Sequence, residues 1–186
     1  SVFAGEVLNI DAKAAILVDG ETGQILYGKN FHERLAPASI TKIMTLLLAM
    51  EAIDEGRISL GDKVTISTAA SGMGGSQIWL APGDVLTVED LIKAAAVPSA
   101  NDAAFALAEY VGGTAEQFVD RMNERARELG MYNTRFQNPT GLDATDHYST
   151  AYDISIMARE LIKHKKILEW TSSWTIQIST RDQLYA

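Results

Sequence analysis

The chain of 186 residues contains no cysteine, which removes disulfides, thiol catalysis and thiolate metal sites together. Its three histidines, His32, His147 and His164, fall at no metal-ligand spacing, so neither a metal centre nor a cofactor is expected. Positive charge is in deficit. The 16 lysines and arginines stand against 24 acidic residues, a net charge of −8. That is the wrong sign for a phosphate-binding surface, so no nucleic-acid partner is expected. No uninterrupted apolar stretch approaches the ~20 residues a bilayer-spanning helix needs; Ile43 to Met50 is too short and reads as core. Repeats and low-complexity linkers are also missing. Ser71-Gly72-Met73-Gly74-Gly75-Ser76 is rich in glycine but lacks the lysine and the strand–loop–helix setting of a phosphate-binding loop, which argues against nucleotides.

What remains has ordinary globular composition, 47% hydrophobic and 22% charged. The length suits one sizeable domain, or a domain with part of another. Composition marks no internal boundary, so residues 1–186 read as a single domain with a hairpin at about 14–29 and a helical region at about 38–169. Ala14 to Asp19 and Gln24 to Tyr27 flank the turn cluster Gly20-Glu21-Thr22-Gly23. Lys63 to Ser67 is a short strand candidate. Thr87-Val88-Glu89-Asp90 is a capping box opening a helix through Ala96. Further helices are predicted from Asp102 to Tyr110, stopped by Gly112-Gly113, and after the caps at Thr114 and Thr150. Trp174, Ile176 and Ile178 alternate as a strand would, and Trp170 and Trp174 read as packing residues.

Ser39-Ile40-Thr41-Lys42 carries the chemistry. A spacing of three on a helix puts both side chains on one face, roughly a turn apart. A serine hydroxyl needs a base to become nucleophilic, and a lysine serves if its ammonium deprotonates easily. By itself the pattern is weak: it arises by chance about once in a chain of this length, and a capping serine beside a solvated lysine is the commoner explanation. Context sharpens it. Pro37 fixes the backbone before the pair, and Ile43, Leu46, Leu47 and Met50 follow at helical spacing. The pair therefore opens a helix meant for burial, with its dipole favouring an alkoxide on Ser39.

Ser99-Ala100-Asn101, about sixty residues on, adds a hydroxyl and an amide in a break between helices, although the stretch is also an unremarkable turn. S-x-x-K followed by S-x-N is the order found in penicillin-recognising serine enzymes. With Gly74-Gly75-Ser76, Asn101-Asp102-Ala103, Leu129-Gly130-Met131, Thr140-Gly141-Leu142 and Tyr148-Ser149 also in order, the stretch from Ala14 to Glu169 resembles the D-alanyl-D-alanine carboxypeptidases of the low-molecular-weight penicillin-binding protein group.

The resemblance implies an α+β fold like that of β-lactamases and penicillin-binding proteins, with an antiparallel sheet built from N- and C-terminal strands around a helical region. It implies Ser39 as nucleophile, Lys42 as its base, Ser99 as proton carrier, and Asn101 and Ser76 as substrate-binding residues. Ala100 is a small residue where the β-lactamases usually carry Asp, and Pro98 is not the family's expected residue. The implied substrates are peptidoglycan stem peptides ending in D-Ala-D-Ala, with β-lactams acylating the same serine, outside the cytoplasmic membrane. Ser1-Val2-Phe3-Ala4-Gly5 is compatible with the residue of a processed export signal. Membrane attachment would come only from an anchor outside these residues.

Two alternatives stand beside it. A class A β-lactamase shares both motifs but uses a deacylating glutamate four residues before an asparagine, where this chain has Thr134 before Asn138. A non-catalytic β-lactam sensor keeps the acylating serine. The third family motif, Lys-Thr-Gly on a sheet strand, does not occur in the sequence. In the family it supplies a cation for the substrate carboxylate and one oxyanion donor, the other being the Ser39 N–H. Residues 1–186 alone are therefore expected to have an incomplete sheet, to acylate slowly, and either to self-associate through unpaired edges of the hairpin or to need further polypeptide.

Overall fold

The computed structural model describes residues 10–172, 178–180 and 183–185. It begins with the expected hairpin. Strands β1 (Ala15–Val18) and β2 (Ile25–Lys29) pair antiparallel, Leu17 opposite Tyr27. Asp19 closes the turn by accepting hydrogen bonds from the Thr22 N–H and hydroxyl. A 3-10 turn, Ala38–Thr41, leads directly into α1, Lys42–Asp54. Strands β3 (Lys63–Thr65) and β4 (Val85–Thr87) form a second antiparallel pair around a short helix α2, Thr68–Ser71. Helices α3 (Val88–Ala96), α4 (Asn101–Gly112), α5 (Ala115–Glu128), α6 (Ala151–Leu161) and α7 (Lys165–Thr171) follow. A final antiparallel pair joins β5 (Ile178–Thr180) to β6 (Gln183–Tyr185).

Helix α1 is the axis of the core. From Met44 to Met50 every residue is buried, so this helix is apolar all round rather than amphipathic. It packs against α3, α4, α5 and α6. Helix α4 comes close because Ala103, Ala104, Ala106 and Ala108 present little volume. Phe118 and Met122 of α5, Met157 of α6, and Leu91 and Ile92 of α3 complete the same cluster.

The helix starts are written in hydroxyls. Ser67, Thr87, Thr114 and Thr150 each accept the N–H three residues on, and Asp90 returns the bond to Thr87 as a full capping box. Helices α1 and α7 start without such a cap, and so does α4, since Ala100 offers no oxygen. At α4 the Asn101 N–H donates to the Ser76 carbonyl at 2.7 Å, and fully buried Asp102 accepts from the N–H groups of Ile78, Leu80 and Ala103. The loop between α2 and β4 is thus fastened to the start of α4 by α4's own first two residues.

Strand β4, and with it the β3–β4 pairing, was not visible in the sequence because three residues carry too little alternation. Ile178 lies in β5 as its alternation suggests, whereas Trp174 and Ile176 fall outside the described residues. The described strands make three separate two-stranded sheets rather than one continuous sheet, and Leu17, Ile25 and Leu26 of the first hairpin stand exposed. Among the described residues no helix is long and apolar enough to cross a membrane.

The capping box generates a measurable expectation. Thr87→Ala removes the acceptor for the Asp90 N–H and should cost about 1 kcal/mol, seen as a lower urea midpoint with an unchanged slope.

Candidate active site

The S-x-x-K pair is held at the junction of the 3-10 turn and α1, not within one regular helix as its spacing suggested. Ser39 lies in the turn, its side chain exposed, and Lys42 is the first residue of α1. The tighter winding of the turn still brings the pair together: Lys42 Nζ is 3.2 Å from Ser39 Oγ. Lys42 is only 3% exposed. Its ammonium donates to the Thr140 carbonyl at 2.9 Å, and among the described residues no carboxylate lies within ion-pair distance of it. Burial disfavours the charged form, and its pKa falls from 10.5 to about 8. Roughly a tenth of the amine is then free at pH 7, a gain of some 300-fold over an ordinary lysine.

Segment 137–141 closes over this pair. Thr45, fully buried on α1, donates its hydroxyl to the Pro139 carbonyl at 2.7 Å. Asn138 Oδ1 gathers the N–H groups of Thr140 and Gly141. Gly141 sits at φ +86°, where a Cβ would overlap the Ala38 carbonyl oxygen, so only glycine allows this backbone to press on the turn that carries Ser39. Ala38 is itself left-handed, at φ +47°. Among the described residues the Ser39 N–H has no acceptor and remains available.

The second motif approaches through backbone. Asn101 is buried, and its Nδ2 donates to the Gly74 carbonyl at 2.6 Å, while its Oδ1 is buried without a partner. Gly75, at φ +76°, would drive a Cβ to 2.7 Å from Asn101 Nδ2 and 3.6 Å from Leu142, the residue after Gly141. Ser39, Lys42, the 140–142 turn, the 74–76 loop and Asn101 are therefore linked by successive contacts. Ser99 enters this arrangement by position only. It is left-handed, at φ +60°, between Pro98 and buried Ala100, and its hydroxyl makes no hydrogen bond among the described residues. Ser76 is exposed and contributes its carbonyl to Asn101 rather than its hydroxyl.

A family profile described as D-alanyl-D-alanine carboxypeptidase, peptidase S11, matches residues 1–184. The chain belongs to this family. The D-alanyl-D-alanine carboxypeptidase DacF of Bacillus subtilis is 53% identical over 164 residues, covering 88% of this chain and 42% of its own length. The crystal structure of DacD from Francisella tularensis matches at a TM-score of 0.86 and 39% identity, over 89% of this chain and 40% of that one. Penicillin-binding protein 6B from Escherichia coli matches at 0.87 and 36% identity, over 99% and 60%. The fold is thus the mixed helix-and-sheet fold of the penicillin-binding proteins. The chain spans about two fifths of the length of the curated relatives it matches.

Sequence reasoning noticed Thr140-Gly141-Leu142 only as a matching string. It missed that the Thr140 carbonyl receives Lys42, because a backbone oxygen leaves no signature in residue type. It also passed over His147, which the structure buries against Thr41 of the S-x-x-K motif.

The pKa of Lys42 sets the sign of a pH dependence. The free amine accumulates as pH rises through about 8, so acylation of Ser39 by a chromogenic β-lactam should climb to a plateau there. An ordinary lysine would give a climb near 10.5. Lys42→Arg keeps a charge that cannot be given up and should lower the rate by about 10²–10⁴, with circular dichroism confirming the fold. Gly141→Ala should reduce acylation at least about tenfold through displacement of the Ala38–Ser39 backbone, since sub-ångström misplacement of reacting groups is costly.

Proposed function

We propose that the chain carries the acylating machinery of a serine-type D-Ala-D-Ala carboxypeptidase. The observation that carries this reading is the buried Lys42 amine 3.2 Å from Ser39 Oγ. Neutral Lys42 takes the Ser39 proton as Oγ attacks the carbonyl carbon between the two D-alanines. The C–N bond then breaks, the proton passes to the departing nitrogen by way of Ser99, and D-alanine leaves. Water hydrolyses the ester and restores Ser39.

Asn101 and Ser76 would bind the substrate. The Asn101 carboxamide is oriented by Gly74, which takes Nδ2, while its buried Oδ1 is left without a hydrogen-bond partner and would meet a peptide N–H only after its cover shifts. The Ser39 N–H supplies one oxyanion donor; the sequence contains no Lys-Thr-Gly to supply the second. The substrate class is the stem peptide of peptidoglycan, with β-lactams as mimics of its terminal dipeptide. The place of action is the outer side of the cytoplasmic membrane. The exposed hairpin residues Leu17, Ile25 and Leu26 favour pairing with further polypeptide or with a second copy.

Thr134, at the place where a class A β-lactamase would carry its deacylating glutamate, donates its hydroxyl to buried Asp153 at 2.7 Å. This engagement speaks for the carboxypeptidase. Intact-mass analysis of the full reading frame's product with penicillin should give one adduct, mapping to Ser39 and absent in Ser39→Ala. D-Alanine should be released from a D-Ala-D-Ala peptide by the same protein. An adduct elsewhere would overturn the assignment. Rapid hydrolysis of the penicillin with no D-alanine release would favour the β-lactamase, and a stable adduct without D-alanine release would favour a sensor.

A further inference from the structure

His147 has no part in the chemistry above, yet it touches both sides of it. Its Nε2 is 2.8 Å from the hydroxyl of fully buried Thr41, the residue before Lys42. Its Nδ1 accepts the Gln137 N–H at 3.0 Å. That second bond fixes the tautomer: Nδ1 is bare, so Nε2 carries the hydrogen and donates to Thr41 Oγ1, and the ring is neutral. Gln137 opens the segment in which Pro139 receives Thr45 and Thr140 receives Lys42. The imidazole thus ties one end of that segment to the S-x-x-K turn itself.

We propose that His147 is a positioning residue for the acylating pair: as a neutral imidazole it holds segment 137–141, and hence the Thr140 carbonyl, against Lys42, and protonation of the ring releases that hold. The proposal rests on the reading of Ser39 and Lys42 as the acylating pair. A proton on Nδ1 would set an N–H against the Gln137 N–H, turning a bond into a repulsion. It would also place positive charge beside the residue preceding Lys42. Asp143, from the loop after Gly141, is the acidic group whose field favours the protonated ring. Thr41, Gln137 and the edge of the Phe136 ring, its other contacts, are uncharged. Burial outweighs Asp143 and holds the ring's pKa below the usual 6.5. The ring also lines a hollow of about 510 Å³ shared with Ala38 and Gly141, which gives solvent protons a route to it.

The sign follows. The latch is intact above the folded-state pKa of His147 and is lost as pH falls through it. Two measurements on the full reading frame's product test this. Imidazole 15N shifts should report the Nε2–H tautomer at pH 7 and a midpoint below 6.5. Hydrogen exchange at Thr140 and Gly141, corrected for intrinsic rates, should accelerate as pH falls through that midpoint in the natural protein but not in His147→Gln. Glutamine offers a donor and an acceptor without a titration. Acylation should drop roughly 10–100-fold in His147→Ala, and His147→Gln should recover most of that loss while lacking the acid limb due to His147. An acid limb unchanged in His147→Gln, or exchange at 140–141 indifferent to pH, would overturn the proposal. Exchange needs no activity, so a protein with pH-coupled exchange but no acylation would sink the functional reading while upholding the latch.

Discussion

A lysine amine buried with no carboxylate partner among the described residues is the constraint on which the rest of this structure depends. Full desolvation of an ammonium is costly, and among the described residues it is offset only by the Thr140 carbonyl and the Ser39 hydroxyl. Neither neutralises the charge. The cheaper response is to lose the proton more readily, which is the direction in which Lys42 moves. A carboxylate in place of the Thr140 carbonyl would stabilise the ion and raise the pKa, leaving a better-folded site with a poorer base. The neutral oxygen steers the amine without locking its proton on.

That arrangement explains where the backbone is strained. The Thr140 carbonyl reaches Lys42 with segment 139–141 lying directly on the turn that carries Ser39, which sets Gly141 against Ala38, itself in the left-handed region. Ser99, the other left-handed residue at this site, is held between the end of α3 and the Ala100 N–H bonded to Ala94. Such conformations cost about 1–3 kcal/mol each and persist where the surroundings over-determine them. Here the surroundings are α1 and α4, buried from end to end of the contact and closely packed through alanine. The rigid core is what makes the strained loops tolerable.

Legibility in the sequence followed the kind of information each feature carries. Caps were readable because Thr87, Thr114 and Thr150 act through side chains within three residues of themselves. Ser39 and Lys42 were readable as a pair, although the 3-10 turn between them was not, since i,i+3 spacing looks alike in both helices. The acceptor for Lys42 was hidden because it is a main-chain oxygen 98 residues away. His147 was hidden for a related reason: its partners are Thr41 and a backbone N–H, so searching for histidine clusters could not find it. Asp102, legible in sequence only as the start of a helix and part of a matching string, is the buried acceptor that secures the loop carrying Ile78 and Leu80. Family resemblance located the two motifs, and only the fold showed which backbone atoms complete them.

The polar groups left unsatisfied point the same way as the charged one. A buried acceptor without a partner costs about 1–3 kcal/mol, and Asn101 Oδ1 is such an atom. The Ser39 N–H is an open donor at the opposite motif. On the proposed reading, the unpaired donor at Ser39 and the buried, unpaired acceptor of Asn101 would be complemented by a peptide's carbonyl oxygen and N–H. On that same reading, the bonds left unmade at Ser39 and Asn101 are ones a bound peptide would make, and making them would also align it for attack.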